Sequence, residues 1–536
     1  MKPNKHESAL TPFRHRTFTV LWLAALISNI GTWMHSVGAG WLMASLSPTP
    51  LVVALVQTAT TLPVFLFALP AGALADIFNR RSLLLLTNGF MFAAASAFAA
   101  LVWMEQVTAE LLLLFTFLLG TGSAFMAPAW QSAIPQMIPR EDLPQAVALG
   151  GISINLSRAI GPALAGMLIV TYGMALPFAA NAISFIIIIA ALLWWKYSTP
   201  VVNHMLPPER VVSAMKAGMR YAWHSQPLKH TMWHVMGFMF FANAAWGLLP
   251  IISKNQFSAD AAFFGLLMGA IGIGAILGAL CLPRLKIRLN ANQLVALGTV
   301  ITALIIGYFA VGSDPTLAII AGFIFGIGWI LVLATINVSA QQALPDWVRA
   351  RGLAVFLMVF FGSMSLGAAF WGWLAGETSI MHALFAAGIG AIVFTGLAYR
   401  FKLQQGQYLD FTPSLHWPEP VVRENVTHDA GPVIIQIKYN VAENDRADFL
   451  HAIYRLKAAR QRDGAYHWGV YEDAAQSGCF IEHFAEESWA AHLRHHERVT
   501  HADKALQDTV LAFHQGRNAP EVRHYIAAYP PGKKAG

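Results

Sequence analysis

From Phe18 to Tyr399 the chain repeats one pattern, apolar runs of about 18 residues or more parted by short polar segments. As a helix, each run is long enough to cross about 30 Å of hydrocarbon. The pattern predicts twelve spans: 17–46, 50–75, 81–104, 108–134, 142–171 and 174–196, then 227–253, 258–283, 292–312, 315–342, 347–376 and 378–400. Several exceed the minimum length, so they must tilt, bend or protrude. Pro63, Pro70, Pro128 and Pro162 fall inside spans, where neighbouring helices can satisfy the freed backbone groups.

After Arg400 the hydropathy collapses. A linker over 401–429 carries Pro413, Pro418 and Pro420. Apolar and polar residues then alternate over 433–441, which predicts a strand. Residues 445–460 predict an amphipathic helix with Phe449, Ile453 and Leu456 on one side, ending near Asp463-Gly464. Strands over 465–472 and 479–485, a mostly helical stretch over 488–514 capped by Ser488, and a strand over 522–529 complete the order βαββαβ, that of a ferredoxin-like fold.

Composition sharpens this picture. The chain is 56% hydrophobic and 12% charged, half the charge of an ordinary soluble protein. Its net charge of +7 does not indicate nucleic acid, because the basic residues sit in alternate short loops. Arg14, Arg16, Arg80, Arg81, Arg140, Arg210, Lys216, Arg220, Arg284, Lys286, Arg288, Arg349 and Arg351 occupy one set. The opposite set carries Glu105, Glu110, Asp260, Asp314 and Glu377, with Lys254 its one basic residue. Basic loops stay inside, so both termini are expected in the cytoplasm of a bacterial inner-membrane protein. The run over 18–46 is too long for a signal-peptide core and reads as an uncleaved first helix. Cys281 and Cys479 lie in different regions, so no disulfide framework is expected.

The two sets of six spans match at one spacing. Gly72-Ala73-Leu74 recurs as Gly278-Ala279-Leu280, 206 residues on (278 minus 72). Gly120 and Gly122 recur as Gly326 and Gly328, Pro139 as Pro345, and Gly161 and Gly166 as Gly367 and Gly372. One spacing that serves several span ends implies a duplicated six-helix unit, both copies in the same orientation, with a site at the midplane between them. The fold class expected is an all-α polytopic membrane protein of twelve helices in two parallel six-helix repeats, with a C-terminal ferredoxin-like domain. The expected division is 1–196, a connecting segment 197–226, 227–400, the linker 401–429 and the soluble domain 430–530.

Gly72-Ala73-Leu74-Ala75-Asp76-Ile77-Phe78-Asn79-Arg80-Arg81, between the second and third spans, resembles the loop motif of the major facilitator superfamily. The resemblance implies a gating role for Gly72, Asp76, Arg80 and Arg81, the carboxylate forming a contact that exists in one state only. Asn79 stands where the family has glycine, and Asn tolerates a left-handed turn. Ile77 replaces a basic residue of the motif. In the fifth span, Asn155-Leu156-Ser157-Arg158-Ala159-Ile160-Gly161-Pro162-Ala163-Leu164-Ala165-Gly166 is similar to the glycine-proline motif of exporters in that superfamily. Gly161, Pro162 and Gly166 there are either close-packing residues or part of what directs export. With Pro128-Ala129-Trp130 and Ala146-Val147-Ala148-Leu149, the stretch resembles the branch that includes the enterobactin exporter and the transmembrane secretion effectors. That resemblance implies efflux of a secondary metabolite of siderophore or drug type, coupled to protons.

Arg158 sits near mid-span, where a charge is costly and marks function. It is expected to bind an anionic or phenolate group or to pair with a neighbouring helix, or else to be tied to backbone carbonyls. Asn155, on the same helix face, and Asn29, His35, Asn243 and Asn337 at membrane depth complete the candidate substrate-binding set. His35 is either a proton carrier or a satisfied hydrogen-bonder. Thr116 occupies the place of an arginine found in many proton-coupled exporters, and no carboxylate lies deep in a span. Trp33, Trp246, Phe356 and Trp371 are among the aromatics available to a cavity.

The C-terminal domain resembles the dimeric α/β-barrel proteins, which include antibiotic-biosynthesis monooxygenases, through Arg462-Asp463-Gly464-Ala465, Ser488-Trp489 and the run His492 to Thr500. The resemblance implies a homodimer. His492 and His496 are four apart, the helical spacing of many zinc pairs, with His483, His495 and His501 nearby. No acidic cluster completes a ligand set in the sequence, so a solvated basic helix face is expected and no metal or other cofactor. The expected function is secondary active export by alternating access of a small molecule, in a lipid bilayer and without nucleic acid. The alternatives are a bifunctional protein whose soluble domain binds or oxidises the exported compound, and a membrane-anchored sensor.

Overall fold

A computed structural model of the chain describes residues 10–196, 211–403, 410–417 and 426–529, apart from the side chains of Asp76, Ile77, Arg140 and residues 211–214. Residues 197–210 of the predicted connector 197–226, including Arg210, lie outside the described residues, as do Pro418 and Pro420 of the linker and residue 530.

Six helices come first: α1 (Arg16–Leu46), α2 (Pro50–Ile77), α3 (Arg80–Trp103), α4 (Ala109–Ala133), α5 (Leu143–Tyr172) and α6 (Ala175–Trp194). A shorter α7 (Val211–His224) precedes the second six. These are α8 (Gln226–Asn255), α9 (Ala261–Lys286), α10 (Ala291–Val311), α11 (Pro315–Gln342), α12 (Arg349–Glu377) and α13 (Ile380–Ala398). All but α7 are long and apolar enough to cross a membrane, giving twelve. Local capping fixes their starts. The Thr108, Asp260 and Ser379 side chains accept backbone N–H groups of α4, α9 and α13, and Asn290 with Gln293 forms a reciprocal cap on α10. Asn79 does the same for α3, accepting from the Ser82 N–H at 3.2 Å with φ −57°. Its role is therefore that of an N-cap, which corrects the left-handed turn expected there.

The structure turns the 206-residue spacing into equivalent contacts. Gly161 of α5 meets Ile30 and Trp33 of α1, and its counterpart Gly367 of α12 meets Phe240 of α8. Gly120 of α4 meets Thr60 and Pro63 of α2, while Gly326 of α11 meets Ile271 and Ala275 of α9. Gly122 packs on Met91 of α3, and Gly328 on Gly298 of α10. Gly166 and Gly372 instead cross between the halves, onto α9 and α2 respectively. A methyl group on Gly166 would come within 2.5 Å of the Ala261 carbonyl oxygen, so only glycine permits this approach.

The chain forms two compact units: Met1–Pro200, His230–Val338 and Phe356–Leu403 in one, and Val201–Lys229, Ser339–Val355 and Gln404–Gly536 in the other. The second unit contains a four-stranded antiparallel sheet of β1 (Val433–Asn440), β2 (Tyr466–Glu472), β3 (Cys479–Glu486) and β4 (Glu521–Ile526), in the order β2-β3-β1-β4. Helix α14 (Arg446–Asp463) precedes β2, and α15 (Trp489–Arg498) and α16 (His501–Leu511) precede β4. Val433, Ile435, Phe480 and Phe484 of the sheet pack with Phe449, Ile453 and Leu456 of α14. The single long helical stretch expected over 488–514 is two helices. Thr500 leaves the helical conformation and caps α16 in a reciprocal box with Asp503. Gly464, at φ +143°, ends α14, a conformation that a side chain would strain.

The connecting segment, read as merely polar, contains α7. In the second unit Tyr221 of α7 is buried, donates to the Ala343 carbonyl at 3.2 Å and lies 5.4 Å under the Arg462 guanidinium. Arg498 stacks 4.2 Å over Trp347. Residues 339–355, the junction of α11 and α12, thus belong to the same compact unit as the C-terminal sheet.

Candidate functional site

Helix α5 is laid against α1 by small residues. Ser157 is fully buried and donates to the Ser153 carbonyl at 2.8 Å, and Gly161 admits Trp33. One turn before Gly161, the Arg158 guanidinium lies 5.2 Å from the Trp33 ring centroid. Its Nε is buried and makes no hydrogen bond among the described residues. A charge at this depth costs about 2.5–3.5 kcal/mol, and the ring returns only about 0.5–2 kcal/mol. Among the described residues the Nε is not anchored to a carbonyl. Asn155 donates to the Gly151 carbonyl of its own helix at 2.9 Å, and its side-chain oxygen has no partner among the described residues. Asn29 is half-buried, one turn from Trp33 on the same face of α1.

The other proposed binding residues lie elsewhere. His35 is buried in the core of the first half, its ring 5.6 Å from Phe98 of α3 and 5.0 Å from Phe178 of α6. Neither ring nitrogen has a partner among the described residues, which corrects the reading of a satisfied hydrogen-bonder. The cause is helical phase: two residues from Trp33, His35 points to the opposite side of α1. Asn243 is fully buried and donates to the Met364 carbonyl, which ties α8 to α12 within the second half. Asn337 is half-buried and donates to Leu333 of its own helix at 2.9 Å.

The second half supplies an aromatic group that the sequence reading only partly found. Trp246 of α8 and Trp329 of α11 lie 5.2 Å apart at the centroids, with Phe325 stacked 6.1 Å from Trp329. The indole N–H groups of both tryptophans are buried and without an acceptor. Trp329 was missed, although it directly follows the Gly326-Ile327-Gly328 repeat signal. What marks it is its packing against Trp246 and Phe325, which the sequence does not display. An apolar recess of about 370 Å³ between α5, α9 and α11, lined by Ala159, Gly269 and Phe323, carries no polar group to orient a substrate.

Side-chain hydrogen bonds cross between the halves. Thr58 of α2 donates to the Ser365 carbonyl of α12 at 3.1 Å. Lys254, at the end of α8, donates to the Ala44 carbonyl in the last turn of α1 at 2.9 Å. That is where a cation best meets orphan carbonyls and the negative end of a helix dipole. Arg81, expected to lock the interface, instead reaches the Leu192 and Leu193 carbonyls of α6 at 2.8 Å, within its own half. Arg80 is half-buried at the start of α3, and around Gly72 there is open space where a side chain would go. The Asp76 side chain lies outside the described residues.

In the C-terminal domain the histidines are not a solvated face. His492 and His495 of α15 are each 1% exposed and both donate through Nδ1 to Glu486 of β3, His492 at 3.0 Å. Burial alone would raise the Glu486 carboxyl; His495 and His492 outweigh it and hold the group ionised, well below the usual carboxylate range. His492, His496 and His524 bring one ring nitrogen each within 4.8 Å of one another. The sequence reading missed both Glu486, which ends β3 just before α15, and His524, which β4 supplies from further along the chain.

The profile of the family described as transmembrane secretion effector matches residues 7–531. The chain belongs to that family. Among curated relatives, it is 22% identical over 391 residues to a staphyloferrin A transporter of Staphylococcus aureus, covering 71% of this chain and 96% of that protein. It is 26% identical over 385 residues to the enterobactin exporter EntS of Escherichia coli, covering 71% of this chain and 90% of that protein. Among solved structures, a POT family transporter bound to 5-aminolevulinic acid superposes with a TM-score of 0.59 at 14% identity, over 72% of this chain and 96% of that one. A bacterial homologue of the lysosomal transporter Spinster gives 0.56 at 15% identity, over 73% and 96%. These likenesses establish the major facilitator fold. The chain is a multi-pass membrane transporter, and no relative among them supports a soluble domain that oxidises the transported compound.

Proposed function

We propose that this transporter exports a small secondary metabolite of siderophore type, bearing an anionic or phenolate group, by rocking its two halves about the α5–α9 and α2–α12 contacts. The observation that carries the reading is Arg158, mid-span beside Trp33 with an unsatisfied Nε, in a chain related along most of its length to transporters named for staphyloferrin A and enterobactin. Asn155 precedes Arg158 by about one turn of α5 and Asn29 precedes Trp33 by about one turn of α1, while Trp246, Phe325 and Trp329 offer the opposite half an aromatic group with indole donors. The basic loops assign both termini to the cytoplasm. The Lys254–Ala44 tie then closes the outer side. Opening that side breaks it, while Gly72, Asp76, Arg80 and Arg81 gate the inner side. Coupling is to protons, as expected of the family.

The open face of the C-terminal sheet exposes Ile434, Tyr471 and Tyr525, a surface suited to a homodimer. A single-chain mass in nanodiscs would refute that assignment.

The decisive experiment compares medium and cell extract of a deletion strain with those of the complemented strain by untargeted mass spectrometry, in iron-rich and iron-poor growth. A compound that leaves the medium and accumulates in deleted cells establishes export and names the substrate. A compound that stays in the medium and is depleted in the cells points to import and overturns the reading. Collapse of the pH gradient in inverted vesicles stops uptake of that compound if protons drive it.

A further inference from the structure

We propose that His492, His496 and His524 form a binding site for a divalent transition metal of the zinc class in the C-terminal domain. The Nε2 atoms of His492 and His496 face each other at 3.2 Å. Two imidazoles on one tetrahedral ion, each about 2.0–2.1 Å from it, stand about 3.3 Å apart. The pair on α15 is therefore already at ligand spacing. His524 comes from β4, an edge strand of the sheet, and its ring centroid is 4.7 Å from that of His492. A small side-chain rotation at this half-buried position closes the third side.

The second argument is the tautomer. His492 commits its Nδ1–H to Glu486, which leaves the Nε2 lone pair directed at the cluster. A buried carboxylate that orients a ligating imidazole and adds to its basicity is the usual outer support of a protein metal site. Glu486 also brings a negative charge that offsets the incoming cation. It is held in place by a second bond, from His495. Trp489 packs 5.3 Å from His492, and Trp417 meets His496 edge-on at 4.8 Å, so both rings are fixed.

Three imidazoles with no thiolate or carboxylate in the group suit zinc and its first-row neighbours rather than calcium or magnesium. No fourth side-chain donor joins the cluster among the described residues, which leaves a position for water. The competing occupant of the gap between the two Nε2 atoms is a proton. A His496 N–H donating to His492 would satisfy the geometry without metal. The site also has a place in the fold, since α15 ends in Arg498, the residue stacked on Trp347. An ion bound to α15 would stiffen the helix that holds the α11–α12 junction.

The test uses tag-free full-length protein in detergent, stripped with chelator, exposed to Co(II) or Zn(II) and desalted. Wild type is expected to retain about one equivalent by elemental analysis, with the visible absorption of tetrahedral Co(II) and a raised melting temperature in Zn(II). His496→Gln and His524→Gln each weaken binding at least tenfold, and Glu486→Gln weakens it about 10- to 100-fold although the three ligands remain. His451→Gln, on the exposed side of α14, leaves it unchanged. Should a ligand variant fail to fold, uptake and melting of the wild type decide alone. The proposal is overturned if stripped wild type retains no Co(II), or if folded His496→Gln and His524→Gln bind as wild type does.

Discussion

Arg158 carries a charge into the middle of α5 for a partial return from Trp33, and that imbalance is the residue-scale reason to expect a ligand. Arg158→Ala should lower export at least tenfold at unchanged protein level, as measured by efflux from loaded cells. Arg158→Lys should recover little of it, because an ammonium cannot present a planar fork to a carboxylate or paired oxygens. His35 makes the opposite case. Both of its nitrogens are buried without partners between Phe98 and Phe178, so an apolar group of similar size removes an unsatisfied burden. His35→Leu is expected to leave export intact and the melting temperature equal or higher. A loss of proton-driven transport at normal protein level would instead make His35 the proton carrier.

At the scale of elements, the α5–α9 contact depends on a backbone approach that admits no side chain. Gly166→Val should force these helices apart and cut transport to background, with folded protein reduced by fluorescence-detected chromatography. In the second unit, α14 and α16 are joined through Arg462, which holds Asp463 at 2.9 Å and Asp503 at 2.7 Å. Burial by itself would raise the Asp503 carboxyl above its usual 3.8, yet Arg462 and the Thr500 hydrogen bonds bring it below that value. A depressed carboxyl contributes stability that is present above its unfolded pKa and disappears as pH falls through the folded one. Asp503→Asn is thus expected to cost about 3 kcal/mol at pH 7, as a melting shift of several degrees. The gap between variant and wild type should narrow below about pH 4. A gap that stays constant down to pH 3 would mean the ion pair is not what stabilises the junction.

For the whole molecule, the C-terminal domain forms one compact unit with α7 and residues 339–355, with Tyr221 under Arg462 and Trp347 under Arg498. These two aromatics belong to segments that join or end membrane helices. Deleting residues 404–536 should therefore lower transport at least several-fold even in protein that still reaches the membrane, as seen by export per copy. Transport at wild-type rate from the truncated chain would reduce the domain to a passive appendage.

Much of the architecture was already legible in the chain. Twelve spans, their ends within a few residues, and the duplication follow from the sequence because lipid demands long apolar helices, and because glycines recur wherever helices must touch. The βαββαβ order was legible for a similar reason, since alternation and helical period are local properties. The candidate site was legible only as a list of polar residues at membrane depth. Which of them meet was settled by helical phase and packing. Arg158 lies on Trp33, while His35, two residues further along α1, turns into the core, and Asn243 becomes a tie between helices. The histidine cluster shows the same division most clearly. The sequence displays a four-residue spacing on α15, but His524 arrives from a strand that only the sheet brings alongside it, and Glu486 meets His492 only through the turn from β3 into α15. Local periodicity determines elements; contacts between residues distant in the chain exist only once burial of apolar surface has folded those elements together.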